Sequence, residues 1–171
     1  MSNPLFDPSL LQELSSLVPS DLALRPLSSE DYSHSHLSLL SHLTSSPDIG
    51  SSAWSSRFEE LLKINKVYPT YFPVALVSKE TNDLVGAATL VVELKFLRGG
   101  GKCGHVEDVV VHPSMQGKKL GQLLLNVLTK LSEQQGCYKT ILDCDPKNEA
   151  FYAKCGYENK GCEMAKYAEK K

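Results

Sequence analysis

Residues 105–144 constrain the fold more than any other stretch. A strand-like run, HVEDVVV, passes through the polar loop HPSMQGKK into an amphipathic segment and then into a second strand-like run, YKTILDC. Leu120, Leu123, Leu124, Val127, Leu128 and Leu131 recur at helical spacing, which predicts a helix over residues 120–135. A strand, a helix and another strand of this length make a parallel crossover. Upstream, FPVALVS, a turn at Asn82 and Asp83, the long run LVGAATLVVELKFL and a glycine loop at residues 99–101 read as an antiparallel meander leading into HVEDVVV. The expected class is α/β of the α+β kind: a twisted mixed sheet, mainly antiparallel, flanked by helices.

With 171 residues the chain has room for one ordinary domain, whose core needs neither disulfide nor metal to be stable. Serine marks a shift in composition, with 17 of 20 in the first 56 residues, so the N-terminal third is turn-rich. Within it, Asp7 and Pro8 make a helix start, and Leu10, Leu11, Leu14 and Leu17 follow at helical spacing until Pro19. This reads as an appended helix in an extension over residues 1–20, ahead of a domain over residues 21–171. The domain is expected to open with a strand at residues 22–25. A helix over residues 29–43 then presents Leu37, Leu40 and Leu43, and the loop TSSPDIGSS leads to a second helix carrying Trp54, Phe58, Leu61 and Leu62. At the other end a short helix over residues 147–154 stops at Gly156, and an edge strand near residues 161–167 closes the chain.

Eighteen Lys plus Arg against twenty Asp plus Glu give a net charge of -2, so no whole-molecule attraction to nucleic acid or an anionic membrane is expected. The longest apolar runs, such as residues 85–92, fall far short of the roughly 20 residues of a spanning helix. No basic and apolar signal segment opens the chain, and the expected compartment is the cytoplasm. Cys103, Cys137, Cys144, Cys155 and Cys162 are odd in number and contain no C-x-x-C pair, so reduced thiols are expected. His34, His36 and His42 lack the i, i+4 spacing of a zinc pair, and His105 and His112 lie at the two ends of one strand. No metal is assigned.

The loop before the long helix is where chemistry concentrates. Backbone N–H groups at a helix start, the positive end of the helix dipole, and Lys118 and Lys119 suit a pyrophosphate. An ordinary glycine-containing connection is the competing reading of the loop taken alone, since it fits neither the Walker nor the G-x-G-x-x-G template. EDVVVHPSMQGKKLG resembles the acetyl-CoA signature of the GNAT acetyltransferase superfamily, with Gln116 and Gly121 at its ends and Lys119 where a glycine is usual. GHVEDVVV, CYKTILDCDPKNEAFYAKCGYE and LALRPLSSEDY together resemble the glucosamine-6-phosphate N-acetyltransferases of that superfamily over most of residues 22–167.

That resemblance implies a GNAT fold with acetyl-CoA in a splay between two parallel central strands. The activity it implies is acetyl transfer to the 2-amino group of D-glucosamine 6-phosphate, in UDP-N-acetylglucosamine biosynthesis, by direct attack in a ternary complex. By motif position, backbone groups of Val109, Val110 and Val111 pair with the pantetheine arm. Gln116, Gly117, Lys118, Lys119, Leu120 and Gly121 hold the pyrophosphate, with Asn148 and Tyr152 also at the cofactor. Tyr152 is the general acid for the departing thiolate, a task suited to a phenol whose pKa lies near ~10. The backbone carbonyl of Asp143 orients the amine, and Cys144 is a structural thiol. Thr44, Lys95, Arg98, Glu107, Asp108, Tyr138 and Lys139 match sugar-phosphate positions, with cations for the phosphate and polar groups for the hydroxyls. A homodimer is implied, with sites near its interface. Tyr167 stands where an arginine from the partner subunit is expected, leaving Lys166 as a candidate replacement. Two rival readings remain, a GNAT enzyme for another amine or a peptide N-terminus and an acyl-CoA sensor without turnover.

Overall fold

The computed structural model describes residues 3–168. Five strands form one sheet in the order β1 (Leu22–Pro26), β2 (Tyr71–Ser78), β3 (Leu84–Leu94), β4 (Lys102–Val111) and β5 (Cys137–Ile141). The first four are antiparallel and β5 runs parallel to β4, which is the expected meander and crossover. β5 lies at the edge of the sheet rather than at its centre. The helices are α1 (His36–Leu40), α2 (Ser51–Val67), α3 (Leu97–Gly100), α4 (Leu120–Gln134) and α5 (Glu149–Ala153). α3 is a single turn broken by left-handed backbone at Arg98 and Gly99, where a plain glycine loop was expected.

α4 covers one face of the sheet with Leu120, Leu124, Leu125, Val127, Leu128 and Leu131. Leu125 is fully buried and Leu123 only half-buried, so the apolar stripe is wider than the sequence spacing indicated. Close approach to β4 occurs at Gly104, where a Cβ would stand 2.3 Å from Ser132 Oγ. That serine is fully buried, and it receives a hydrogen bond from Thr140 Oγ1 at 2.8 Å. α2 brings Trp54, Phe58 and Leu62 into the core, with the Trp54 and Phe58 rings stacked at 5.6 Å. β2 is buried almost without alternation, as a strand covered on both faces must be.

Three expected elements differ. Residues 8–17 form two 3-10 turns, Pro8–Leu11 and Leu14–Leu17, rather than one helix; Asp7 caps the first by accepting from Ser9 N, and Leu11 and Leu14 are buried in the core. The helix expected over residues 29–43 contracts to α1, because Asp31 and the left-handed Ser35 hold residues 28–36 in turns. Its buried residue is Leu39, while Leu43 is exposed. No strand forms at residues 161–167: the chain from Glu158 to Ala168 is exposed and makes no backbone hydrogen bond to the sheet among the described residues.

Two polar contacts tie the turns to the core. Asp31, with no exposed surface, accepts a two-pronged bond from Arg25 at 2.6 and 2.8 Å and a third from Ser28 N at 2.7 Å. His36 Nδ1 accepts from Trp54 Nε1 at 3.0 Å, and burial pulls its pKa from 6.5 to about 4, against the opposing pull of Asp31. Above pH 6.5 the ring is neutral in both folded and unfolded chains, so its contribution to stability is complete. Between 6.5 and 4 the unfolded chain binds the proton first, and stability falls. At pH 5 this amounts to about 2 kcal/mol, which urea unfolding at pH 7.5 and 5 measures. His36→Asn is expected to flatten that difference; an equal decline in the variant would assign it to other groups.

Candidate active site

β4 and β5 pair only from Lys102↔Cys137 to His105↔Ile141. Beyond that point β4 runs on to Val111, while the chain after Ile141 leaves the sheet as coil towards Pro146. The pairing of β3 with β4 shifts by one residue between Ala87↔Val110 and Thr89↔Glu107, and Asp108 in this bulge has φ 53. His112 N donates to Val85 O on β3. Strand alternation therefore turns the backbone polar groups of Val110 towards β3 and those of Val109 and Val111 towards the open side. This gap has an unpaired peptide edge that fits the two amides of a pantetheine arm.

At the mouth of the gap, the 3-10 turn Pro113–Met115 leads to Gly117 and Lys119, both left-handed at φ 80 and 59. Lys119 is the residue immediately before α4, and the first helical bond is made by Leu123 N to Lys119 O. The amides of Leu120, Gly121 and Gln122 thus have no helical acceptor and point out at the positive end of a 15-residue helix. The left-handed backbone at Lys119 explains why glycine suits that position, and Lys119 adopts it at a cost of about 1 kcal/mol. Gly121 serves packing, since a Cβ there would lie 3.2 Å from the Phe151 ring.

Phe151 belongs to α5, and so does Tyr152. Tyr152 is half-buried beside Phe151, at 5.1 Å between ring centres, and Tyr157, at 6.4 Å. Burial, followed by the thiols of Cys144 and Cys155, raises its pKa, so the phenol stays protonated at neutral pH. Among the described residues its hydroxyl makes no hydrogen bond, unlike that of Tyr157, which meets Thr129 at 2.9 Å. Asp143 is exposed in the coil after β5, next to a half-buried Cys144 whose pKa burial raises, and Asn148 is exposed at the start of α5. The structure thus joins the helix-start loop and Tyr152 through the contact of Gly121 with Phe151.

The proposed acceptor residues divide into two groups on the face opposite α4. Glu107 and Asp108 line a cleft of about 310 Å³ between α1, α2 and the sheet, with Arg57, His36 and Thr89 also on its walls. Burial raises the Glu107 pKa, as do the carboxylates of Asp108, Asp143 and Glu163, against the pull of His105. Further along the strands are the cations. Arg98 lies 5.7 Å and Lys139 Nζ 5.8 Å from the centre of the Tyr138 ring, and Lys95 Nζ donates to Glu93 at 2.7 Å. Thr44 is exposed in the turn after α1, one turn beyond Leu40, which lines the cleft. Tyr167 and Lys166 are exposed and contribute nothing to either group within this chain. Glu93, Thr89 and Arg57 were not anticipated; Glu93 was detectable only from the register that sets it opposite Cys103.

The family model described as Acetyltransferase (GNAT) family matches residues 37–157, well over half of the chain. The chain belongs to the GNAT acetyltransferase family. Among proteins similar to this GNAT chain, Glucosamine 6-phosphate N-acetyltransferase 1 of Dictyostelium discoideum is 38% identical over 154 residues, covering 90% of this chain and 96% of that one. Glucosamine 6-phosphate N-acetyltransferase of Schizosaccharomyces pombe is 46% identical over 101 residues, 59% of this chain and 91% of that one. The crystal structure of glucosamine-6-phosphate N-acetyltransferase from Arabidopsis thaliana superposes with a TM-score of 0.80 at 34% identity, covering 85% of this chain and 97% of that one. The expected fold and family are therefore correct for this chain.

Proposed function

We propose that this protein transfers the acetyl group of acetyl-CoA to the 2-amino group of D-glucosamine 6-phosphate, giving N-acetyl-D-glucosamine 6-phosphate and CoA. The observation that carries the reading is the charge layout along one sheet face: carboxylates at Glu107 and Asp108, cations at Lys95, Arg98 and Lys139, and a gap in the sheet beside them. An amino sugar phosphate has the same polarity, an amine at one end and a dianion at the other. The 34–46% identity to glucosamine 6-phosphate N-acetyltransferases supports the same substrate.

Val109 and Val111 bond the pantetheine amides as a neighbouring strand would, and the helix-start amides with Gly117, Lys118 and Lys119 receive the pyrophosphate. Gln116 and Asn148 flank that seat. The neutral amine, oriented by the carbonyl of Asp143, attacks the thioester carbon. A C–N bond forms, the C–S bond breaks, and Tyr152 gives its proton to the thiolate while the amine proton leaves to solvent. Cys144 is outside this sequence, because its thiol is held protonated and no acyl-cysteine is required. The product suits UDP-N-acetylglucosamine synthesis, and five free thiols suit a reducing cytoplasm. Exposed Leu94, Phe96 and Leu97 support a homodimer, in which Lys166, beside Tyr167, is the candidate cation that the second copy brings to the phosphate site.

The test is release of CoA thiol from acetyl-CoA with glucosamine 6-phosphate, glucosamine and spermidine offered separately. Release with the phosphosugar alone supports the proposal; release with another amine reassigns the substrate, and acetyl-CoA binding without release makes the protein a sensor. Lys139→Ala is expected to raise KM for the phosphosugar about 10- to 100-fold with acetyl-CoA affinity unchanged, the loss of one charge-assisted bond to phosphate. An equal loss with unphosphorylated glucosamine would dissociate Lys139 from the phosphate.

A further inference from the structure

Three side chains that no step above uses converge on the face opposite α4. Gly104 meets Ser132 of α4, so alternation sends its neighbours Cys103 and His105 to the other face. Glu93 stands directly across from Cys103 on β3, and Lys139 across from it on β5. One ligand atom from each of Glu93, Cys103 and His105 lies within 4.8 Å of the others, and His105 Nε2 is already 2.8 Å from Glu93 Oε2.

We propose that Glu93, Cys103 and His105 bind a thiophilic divalent cation, with Zn²⁺ the best match, and that filling this site strengthens the hold of the cleft's cationic end on an anion. A thiolate, an imidazole and a carboxylate are a zinc donor set, and three protein ligands leave a fourth position for water. Zinc bond lengths put tetrahedral ligand atoms about 3.5 Å apart, so the His105 and Glu93 side chains need only close in on a sulfur fixed by its strand. The two strands are in register, which holds all three ligands on one surface. Burial raises the Cys103 pKa and the nearby lysines lower it, so the free group is a thiol that gives its proton to solvent when the metal binds. Lys95 and Lys139 repel any cation here, and that selects against hard ions such as Mg²⁺, which gain little from sulfur.

The metal and Lys95 compete for one carboxylate. Glu93 now accepts from Lys95 at 2.7 Å; ligation frees that lysine and sets a divalent charge among the cations. The part of the proposal that concerns substrate affinity rests on the phosphosugar reading above, whereas metal binding itself does not.

Co²⁺ titrated into the full chain is the probe. A thiolate-to-cobalt charge-transfer band is expected at one equivalent. It is lost in Cys103→Ser, and binding weakens at least about 10-fold in His105→Gln and Glu93→Gln but tightens in Lys95→Ala. No band in the wild type, or a band that survives in Cys103→Ser, overturns the site. Should Cys103→Ser fail to fold, His105→Gln at a half-exposed position decides it, because unchanged Co²⁺ affinity there is equally fatal. With Zn²⁺, KM for glucosamine 6-phosphate is expected to fall in the wild type and not in His105→Gln; an unchanged KM in the wild type would uncouple the metal from the phosphate. A protein that never acetylates the phosphosugar would sink the functional reading, while the cobalt titration would still decide the metal site.

Discussion

Tyr152→Phe, at the proposed general acid, is expected to lower kcat by about 100-fold while the Kd for acetyl-CoA stays within about twofold. The magnitude is that of a positioned general acid, about 2.7 kcal/mol of transition-state stabilisation. Three observations set it. The hydroxyl has no hydrogen-bond partner among the described residues, so its proton is free for the proposed transfer. Its raised pKa keeps the proton in place through neutral pH. The ring packs beside Phe151 and Tyr157, contacts that phenylalanine keeps, so the variant isolates one oxygen atom. Single-turnover rates with saturating acetyl-CoA, together with calorimetric binding, separate the chemistry from affinity. Undiminished turnover would remove Tyr152 from the acid role.

Arg25→Ala is expected to destabilise the fold by about 3–5 kcal/mol, the cost of stranding a buried carboxylate. Asp31 has no exposed surface, and Arg25 supplies its two charged donors. Ser28 N alone remains, and one amide does not replace a guanidinium. The double variant Arg25→Met with Asp31→Asn is expected to be more stable than Arg25→Ala, because an amide can still accept from Ser28 N without carrying charge. Urea midpoints at a constant slope measure both. A loss below about 1 kcal/mol in the single variant would mean that water reaches Asp31 once the arginine is gone.

The sheet order and α4 were legible because their signals are periodic. Alternation and 3.6-residue spacing do not depend on distant parts of the chain; β1 keeps the first and α4 the second. The helix over residues 29–43 was overextended for the opposite reason. Leu37, Leu40 and Leu43 have helical spacing, but Asp31 accepts from Arg25 on β1, a tertiary bond that holds the segment in turns. The final strand was drawn from residue type alone, yet a strand needs a partner edge, and residues 158–168 have none among the described residues. At the site, the helix-start loop and Tyr152 could be read as motifs. The Asp108 bulge could not, since an inserted residue breaks alternation without changing composition. Glu93 escaped notice because its meaning depends on which residue of β4 stands opposite.

The early departure of the chain after Ile141 has a further meaning. By leaving Val109 and Val111 without a neighbour, the fold stops one strand short of completing its own hydrogen-bond ladder there. An acyl carrier with peptide-like bonds, bound as proposed, would finish that ladder, so occupancy and architecture would draw on the same set of backbone contacts. Ligand binding there would add to the free energy of folding, by about 2.7 kcal/mol at a ligand concentration about a hundred times its Kd.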